Sequence, residues 1–308
     1  MKKRKGLIAI IVVCVVSFIA TIALGITCMF TIFTDLDNGR IEQAVREFAD
    51  RYHLSVHFDI PGYAVDYYDN IPSVQTPDAY NRIDLSVIPQ GSDLEIECDN
   101  IPLIVRSGDT AAAQLTFAGG SQSLSTDQYR FELFRSRENS SRYVLVFDLT
   151  SHLWTNAQVN AQLDVTLPAD FINRLDVDSG NGAVTLSGID CSVLTAESAN
   201  GSLTAENLNV DQAIDLSTDN GSLTLNSLLG SASVNCESDN GSIQFSAGSL
   251  TSYVIDASAD NGRIINNLAT PAQTIRGDDL HYEHHGADGS MGIGLRFQSD
   301  NGRIELNP

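Results

Sequence analysis

Between Leu175 and Leu306 the apolar positions keep fixed offsets from a recurring Asn-Gly, found at Asn181, Asn200, Asn220, Asn240, Asn261 and Asn301. Six residues before each Asn stand Leu175, Leu194, Ile214, Val234, Ile255 and Leu295, and four before it Val177, Ala196, Leu216, Cys236, Ala257 and Phe297. Three residues after it come Val184, Leu203, Leu223, Ile243, Ile264 and Ile304. Alternation with period two on both sides of a Gly-containing corner predicts a strand, a tight corner and another strand. The corner is read as Asn-Gly because these residues reach positive φ most cheaply. The steps between Asn residues are 19, 20, 20, 21 and 40, so the last skips one period. Such a spacing marks a repeat architecture.

Two geometries satisfy this alternation: rungs of a parallel β-solenoid, or two-residue hairpins in an antiparallel meander. The residues two before each Asn, Ser179, Ser198, Thr218, Ser238, Ala259 and Ser299, form a column that is nearly all hydroxyl. Direct stacking would let such a column bond along itself, which favours the solenoid. The expected fold is therefore all-β, a solenoid-like repeat of about 20 residues per rung. Residues 169–308 are assigned to the repeat and residues 54–168 to an irregular β section. That section alternates without the period, as in Leu54-Val56-Phe58-Ile60, Ile83-Leu85-Val87 and Phe131-Leu133. It would also cover one exposed end of the stack.

Residues 7–33 carry no charge and are long enough to cross a bilayer as a helix. Lys2, Lys3, Arg4 and Lys5 precede them, which keeps residues 1–6 in the cytoplasm and places the rest outside. A cleaved secretory signal is the alternative, but its apolar region spans only about 7–15 residues. Residues 34–53, with Ile41, Ala44, Val45, Phe48, Ala49 and Tyr52 at helical spacing, are expected to form an amphipathic stalk. All 39 acidic residues belong to a chain whose formal net charge is −21, and no lysine follows Lys5. That balance argues against nucleic acid as a partner. Cys98, Cys191 and Cys236 are too few for a disulfide framework, and Cys236 falls on an inward position.

Gln162-Leu163-Asp164-Val165-Thr166-Leu167-Pro168, followed by Ser-X-Asn-Gly-X-aliphatic units, resembles the bacterial putative-adhesin family with the toast-rack β-repeat domain. The resemblance covers roughly 162–308. It implies an extracytoplasmic β-repeat domain on membrane-anchored proteins of the cell envelope and its stress responses, and it supplies no catalytic residue. The chain departs from the pattern between Thr270 and Gly294, where a Gly- and His-rich segment replaces a period.

Asp219, Asp239, Asp260 and Asp300 each precede a repeat Asn. Stacked in chain order, Asp219, Asp239 and Asp260 would lie about 5 Å apart and repel by roughly 1 kcal/mol per pair in water. A Ca2+ ion held by their oxygens would reverse that sign; the plainer reading is turn chemistry on a solvated face. His281, His284 and His285, with Glu283, Asp278, Asp279 and Asp288 nearby, form the densest transition-metal-like group, suited to Zn2+. Five glycines from Gly277 to Gly294 read instead as a solvated loop. No cofactor is otherwise implied.

A polysaccharide-active solenoid enzyme is the competing class, but Leu175 to Asp260 contains no Arg, Lys or His to partner its carboxylates. No nucleophile elbow or phosphate loop appears either. The expectation is a non-enzymatic, single-pass envelope protein that binds an envelope component or a membrane-protein partner. An accessory role in envelope-stress sensing is the alternative.

Overall fold

Along Asp190–Ser198 the side chains of Leu194, Ala196 and Ser198 are buried while Thr195 and Glu197 face outward, and the same alternation recurs in strand after strand. A computed structural model describes residues 68–70, 81–117, 129–137, 139–149, 161–269, 271–276, 279–285 and 292–308. The expected membrane helix at 7–33 and stalk at 34–53 lie outside these residues. Among the described residues, no helix is long and apolar enough to cross a membrane.

The strands before the Asn-Gly region are β1 (Tyr68–Asn70), β2 (Arg82–Asp84), β3 (Ser92–Cys98), β4 (Leu103–Ser107), β5 (Ala112–Phe117), β6 (Tyr129–Ser136), β7 (Arg142–Leu149) and β8 (Ala161–Leu167). The next are β9 (Ile172–Ser179), β10 (Val184–Ser187), β11 (Asp190–Ser198), β12 (Leu203–Thr218), β13 (Leu223–Leu228), β14 (Ser233–Ser238) and β15 (Ile243–Ser246). The chain closes with β16 (Tyr253–Ala259), β17 (Arg263–Asn266), β18 (Gln273–Arg276), β19 (Leu280–His284), β20 (Ile293–Ser299) and β21 (Arg303–Asn307).

These strands form two stacked ladders. Sheet A runs in the order β1, β6, β7, β3, β9, β11, β12, β14, β20, β16, β19. Sheet B runs in the order β2, β5, β8, β4, β10, β12, β13, β15, β21, β17, β18. Pairing is parallel from β7 to β16 and from β8 to β17, and antiparallel at both ends. Each Asn-Gly carries the chain from sheet A to sheet B, so the strands flanking it lie in different sheets. A hairpin would pair them, and the meander is thereby excluded in favour of the solenoid.

Parallel rungs do not begin at residue 169. The β3–β4 pair is itself a rung: Leu94, Ile96, Cys98 and Leu103 occupy the core columns around Asn100-Ile101. The pair β7 and β8 forms another. Nor do rungs stack in chain order. The β3–β4 rung lies between β7–β8 and β9–β10, and the final rung, β20–β21, lies between β14–β15 and β16–β17.

Aliphatic columns from both sheets fill the space between them, with Leu175, Leu194, Leu216, Leu223 and Leu225 fully buried and Phe245 packed on Phe297 at 5.1 Å between ring centres. Cys98, Cys191 and Cys236 are buried and free. A small separate apolar cluster of Phe134, Val144 and Val146 lies on the other face of sheet A, on β6 and β7.

The corners depart from the positive-φ expectation. Among the described residues, positive φ occurs at Asn100, Asp170, Asn207, Ser227, Gly91, Gly188 and Gly248, and at none of the six repeat Asn-Gly dipeptides. The glycine is required for clearance instead: a β-carbon at Gly201, Gly221, Gly241 or Gly302 would overlap the carbonyl oxygen of the neighbouring rung's glycine. Ile101 takes the glycine position in the β3–β4 rung, whose other neighbour, β7–β8, is joined by a segment with no Asn-Gly.

Candidate functional site

Three columns of polar side chains follow from this stacking. At the corners, the backbone N–H groups of Asn200, Asn220, Asn240, Asn261 and Asn301 bond to the neighbouring rung, as in Asn220 N–H to the Ala199 carbonyl and Asn240 N–H to the Asp219 carbonyl. With the backbone fixed, the Asn carboxamides lie one rung apart and bond to one another. Asn181 donates to Asn100 at 2.8 Å, Asn200 to Asn181 at 2.9 Å and Asn220 to Asn200 at 2.9 Å. Asn240 donates to Asn220 at 3.0 Å, Asn301 to Asn240 at 3.0 Å and Asn261 to Asn301 at 3.1 Å. This ladder was absent from the sequence reading, although the invariance of Asn as well as Gly at the corner was its signal.

The buried hydroxyl column behaves differently from the expected bonding along itself. Ser198, Thr218, Ser238 and Ser299 donate to the corner carbonyls of Gly182, Gly201, Gly221 and Gly241, at 3.2–3.4 Å. These bonds satisfy carbonyls that the corner turns inward.

The acidic column is a line in the order Asp219, Asp239, Asp300, Asp260, since Asp300 belongs to the intercalated rung. The expected adjacency of Asp239 and Asp260 is thus corrected. Burial raises the Asp239 pKa above the ordinary carboxylate value, and the charges of Asp300, Asp219 and Glu237 add to the shift.

The His-rich segment is β18 and β19, not a loop through its whole length. It closes the stack: β18 pairs with β17 in sheet B and β19 with β16 in sheet A. Strand alternation separates the three histidines. His281 and His285 share a face with Glu283, whereas His284 stacks on the buried Tyr253, ring centres 5.0 Å apart. His281 Nδ1 lies 2.6 Å from Asp256 Oδ1, and its Nε2 lies 3.0 Å from Glu283 Oε1; His285 Nε2 lies 3.1 Å from Glu283 Oε2. The bonds to Asp256 and then Glu283 hold the His281 imidazole pKa above its ordinary value, and the two imidazoles hold Glu283 below its own. Among the described residues, no group of three or more His, Cys, Asp or Glu is placed to hold a metal ion.

The two broad faces differ in charge. Sheet A presents Glu95, Asp176, Asp215, Glu237 and Asp256, partly offset by Arg142 on Glu95 and Arg174 on Asp176, at 2.6 Å and 2.8 Å. Sheet B presents Thr185, Thr204 and Thr224 in register, flanked by Ser202, Ser222 and Ser242, with Glu206 beside them accepting a bond from Ser187 Oγ at 3.1 Å and Arg106 near Asp164 further along the stack.

A family model described as Toastrack DUF4097 matches residues 91–278. Among solved structures, a "putative cell adhesion protein" from Clostridium sporogenes is 10% identical, with 73% of this chain and 97% of that chain covered and a TM-score of 0.45. A "putative adhesin" from Bacteroides fragilis is 12% identical, with 70% and 94% covered and a TM-score of 0.28. No curated protein matches the chain. With more than half of its length matched by the family model, the protein belongs to the Toastrack DUF4097 family.

Proposed function

We propose that this protein acts by non-covalent, adhesin-like binding at the outside of the cell envelope, anchored in the membrane through residues 7–33. The observation that carries the reading is the hydroxyl columns of sheet B, where Thr185, Thr204 and Thr224 repeat in register beside Ser202, Ser222 and Ser242. Rungs about 4.8 Å apart offer donors and acceptors at a constant interval, which suits a neutral polymer that can engage several rungs at once. The acidic face of sheet A is the poorer candidate, because such a polymer would have to displace water from its carboxylates, two of which are already paired with Arg142 and Arg174. Among the described residues the hydroxyl columns spread along the stack instead of converging on one point, which suits binding.

The test is site-directed photocrosslinking of the full-length protein in its native membranes, with the probe at Ser222 on sheet B or at Asp215 on sheet A. Adducts with an envelope polymer or another surface from position 222, and few from 215, are expected. Adducts with a membrane protein would favour the envelope-stress alternative. Equal or absent adducts at both positions would overturn the assignment of the face.

A further inference from the structure

Two residues past the repeat Asn, the first four Asn-Gly rungs carry Ala183, Ser202, Ser222 and Ser242, all small. The next two rungs in the stack carry Arg303 and Arg263, directly opposite one another on β21 and β17. On the other side of Arg263, the cap strand β18 places Arg276 directly opposite it. Three arginines therefore hold adjacent register positions at one end of sheet B, in a protein whose formal net charge is −21.

Like charges on neighbouring strands repel. The local counter-charge is uneven. Arg303 has Glu305 at 3.2 Å, whereas Arg263 has no ion-pair partner among the described residues. Asp260 and Asp300 precede the same two corners, without an ion pair to either arginine. The two corners and their arginines, Asn261, Gly262, Arg263, Asn301, Gly302 and Arg303, line an open cleft of about 380 Å3.

Donors surround this cleft. Each guanidinium is a planar fork of N–H groups. Asn261 and Asn301 each spend one side-chain N–H on the ladder, at 3.1 Å and 3.0 Å, and a carboxamide has a second. Gly262 and Gly302 keep the corner free of side chains.

We propose that the cleft binds a phosphate group, with Arg263 and Arg303 as its charged donors and the Asn261 and Asn301 amides as neutral ones. Phosphate fits better than carboxylate because it presents more acceptor oxygens and, as a monoester or free ion, close to two negative charges. A bound anion also removes the repulsion between the arginines. The site adjoins the hydroxyl face and does not rest on it: loss of phosphate binding would leave the crosslinking result from position 222 untouched.

The experiment is a thermal-unfolding titration of the full-length protein in neutral detergent micelles with inorganic phosphate, at ionic strength held constant with chloride. Phosphate is expected to raise Tm above the chloride control, with R263Q and R303Q each weakening the apparent affinity roughly tenfold or more, in keeping with loss of a charge-assisted bond. R296Q, which makes the same charge change on sheet A, keeps the response. Without phosphate, R263Q melts at or above the native temperature, since it relieves repulsion. A parallel titration compares micelles doped with phosphatidylglycerol or with phosphatidylcholine. An Arg263-dependent response to phosphatidylglycerol alone identifies a lipid headgroup as the source, and one to inorganic phosphate identifies a soluble ligand. Equal responses of the native protein, R263Q and R303Q in both titrations would overturn the proposal.

Discussion

A β-carbon added at Gly221 would overlap the Gly201 carbonyl oxygen and crowd Thr218 Oγ1. Backbone cannot yield here without disturbing two rungs, so G221A is expected to destabilise by more than about 2 kcal/mol, as overpacking against fixed atoms does. Alanine in place of the exposed Ser222 should change stability by less than about 0.5 kcal/mol. Urea unfolding of the two variants checks this, and equal midpoints would show that the corner has room. The acidic column makes an opposite-signed prediction. Asp239 has a folded pKa above the ordinary 3.8, chiefly through burial and then through Asp300 and Asp219. Its ionised form therefore opposes folding. The penalty is absent below the unfolded pKa and grows as pH rises from there through the folded pKa. D239N should raise Tm at neutral pH, by an amount worth less than about 1 kcal/mol because the carboxylate is only slightly desolvated and still meets solvent. The gain should vanish below about pH 3.8.

At the scale of elements, every rung depends on its neighbours for backbone partners as well as for core. β20 stands between β14 and β16 and pairs in parallel with both, and β21 plays the same part between β15 and β17. Removing residues 293–308 therefore does more than shorten the stack, because it takes out a rung from within. Amide exchange in β16 to β19 should lose its protection in that truncation, while β9 to β13 keep theirs. Unchanged protection across Tyr253–His284 would mean that β16 can dock directly on β14. The His-rich segment is explained at this scale too. Its two strands cover the last parallel rung with antiparallel pairs, as β5 and β6 do at the other end. Among the described residues, the outermost strands, β1, β2, β18 and β19, have three to five residues each. Short edges limit pairing with other chains.

For the whole molecule, the intercalated rungs impose an order of assembly. A chain that stacked each rung on the last could propagate from one end to the other. Here β3–β4 is bracketed by later segments, and β16–β17 must wait for β20–β21 or leave a slot for it. The C-terminal third thus relies on contacts distant in sequence, which close more slowly than local ones. The strand, the corner, the inward columns and the acidic balance were all legible in the chain, because alternation and residue type are local properties. His284 was misgrouped with His281 and His285 because composition places them together, while strand alternation sends neighbouring side chains to opposite faces. The Asn100-Ile101 rung escaped notice because it lacks the glycine and stands 81 residues ahead of Asn181, to which Asn100 nonetheless bonds. Sequence alone determined that this protein is a repeat of corner-joined strands with an apolar interior. Only the tertiary structure decided that corners bond to the neighbouring rung, that the final rung enters between two earlier ones, and that Arg263 and Arg303 stand side by side. Those outcomes depend on which strand edges meet in space, and the spacing of residues along the chain does not specify that.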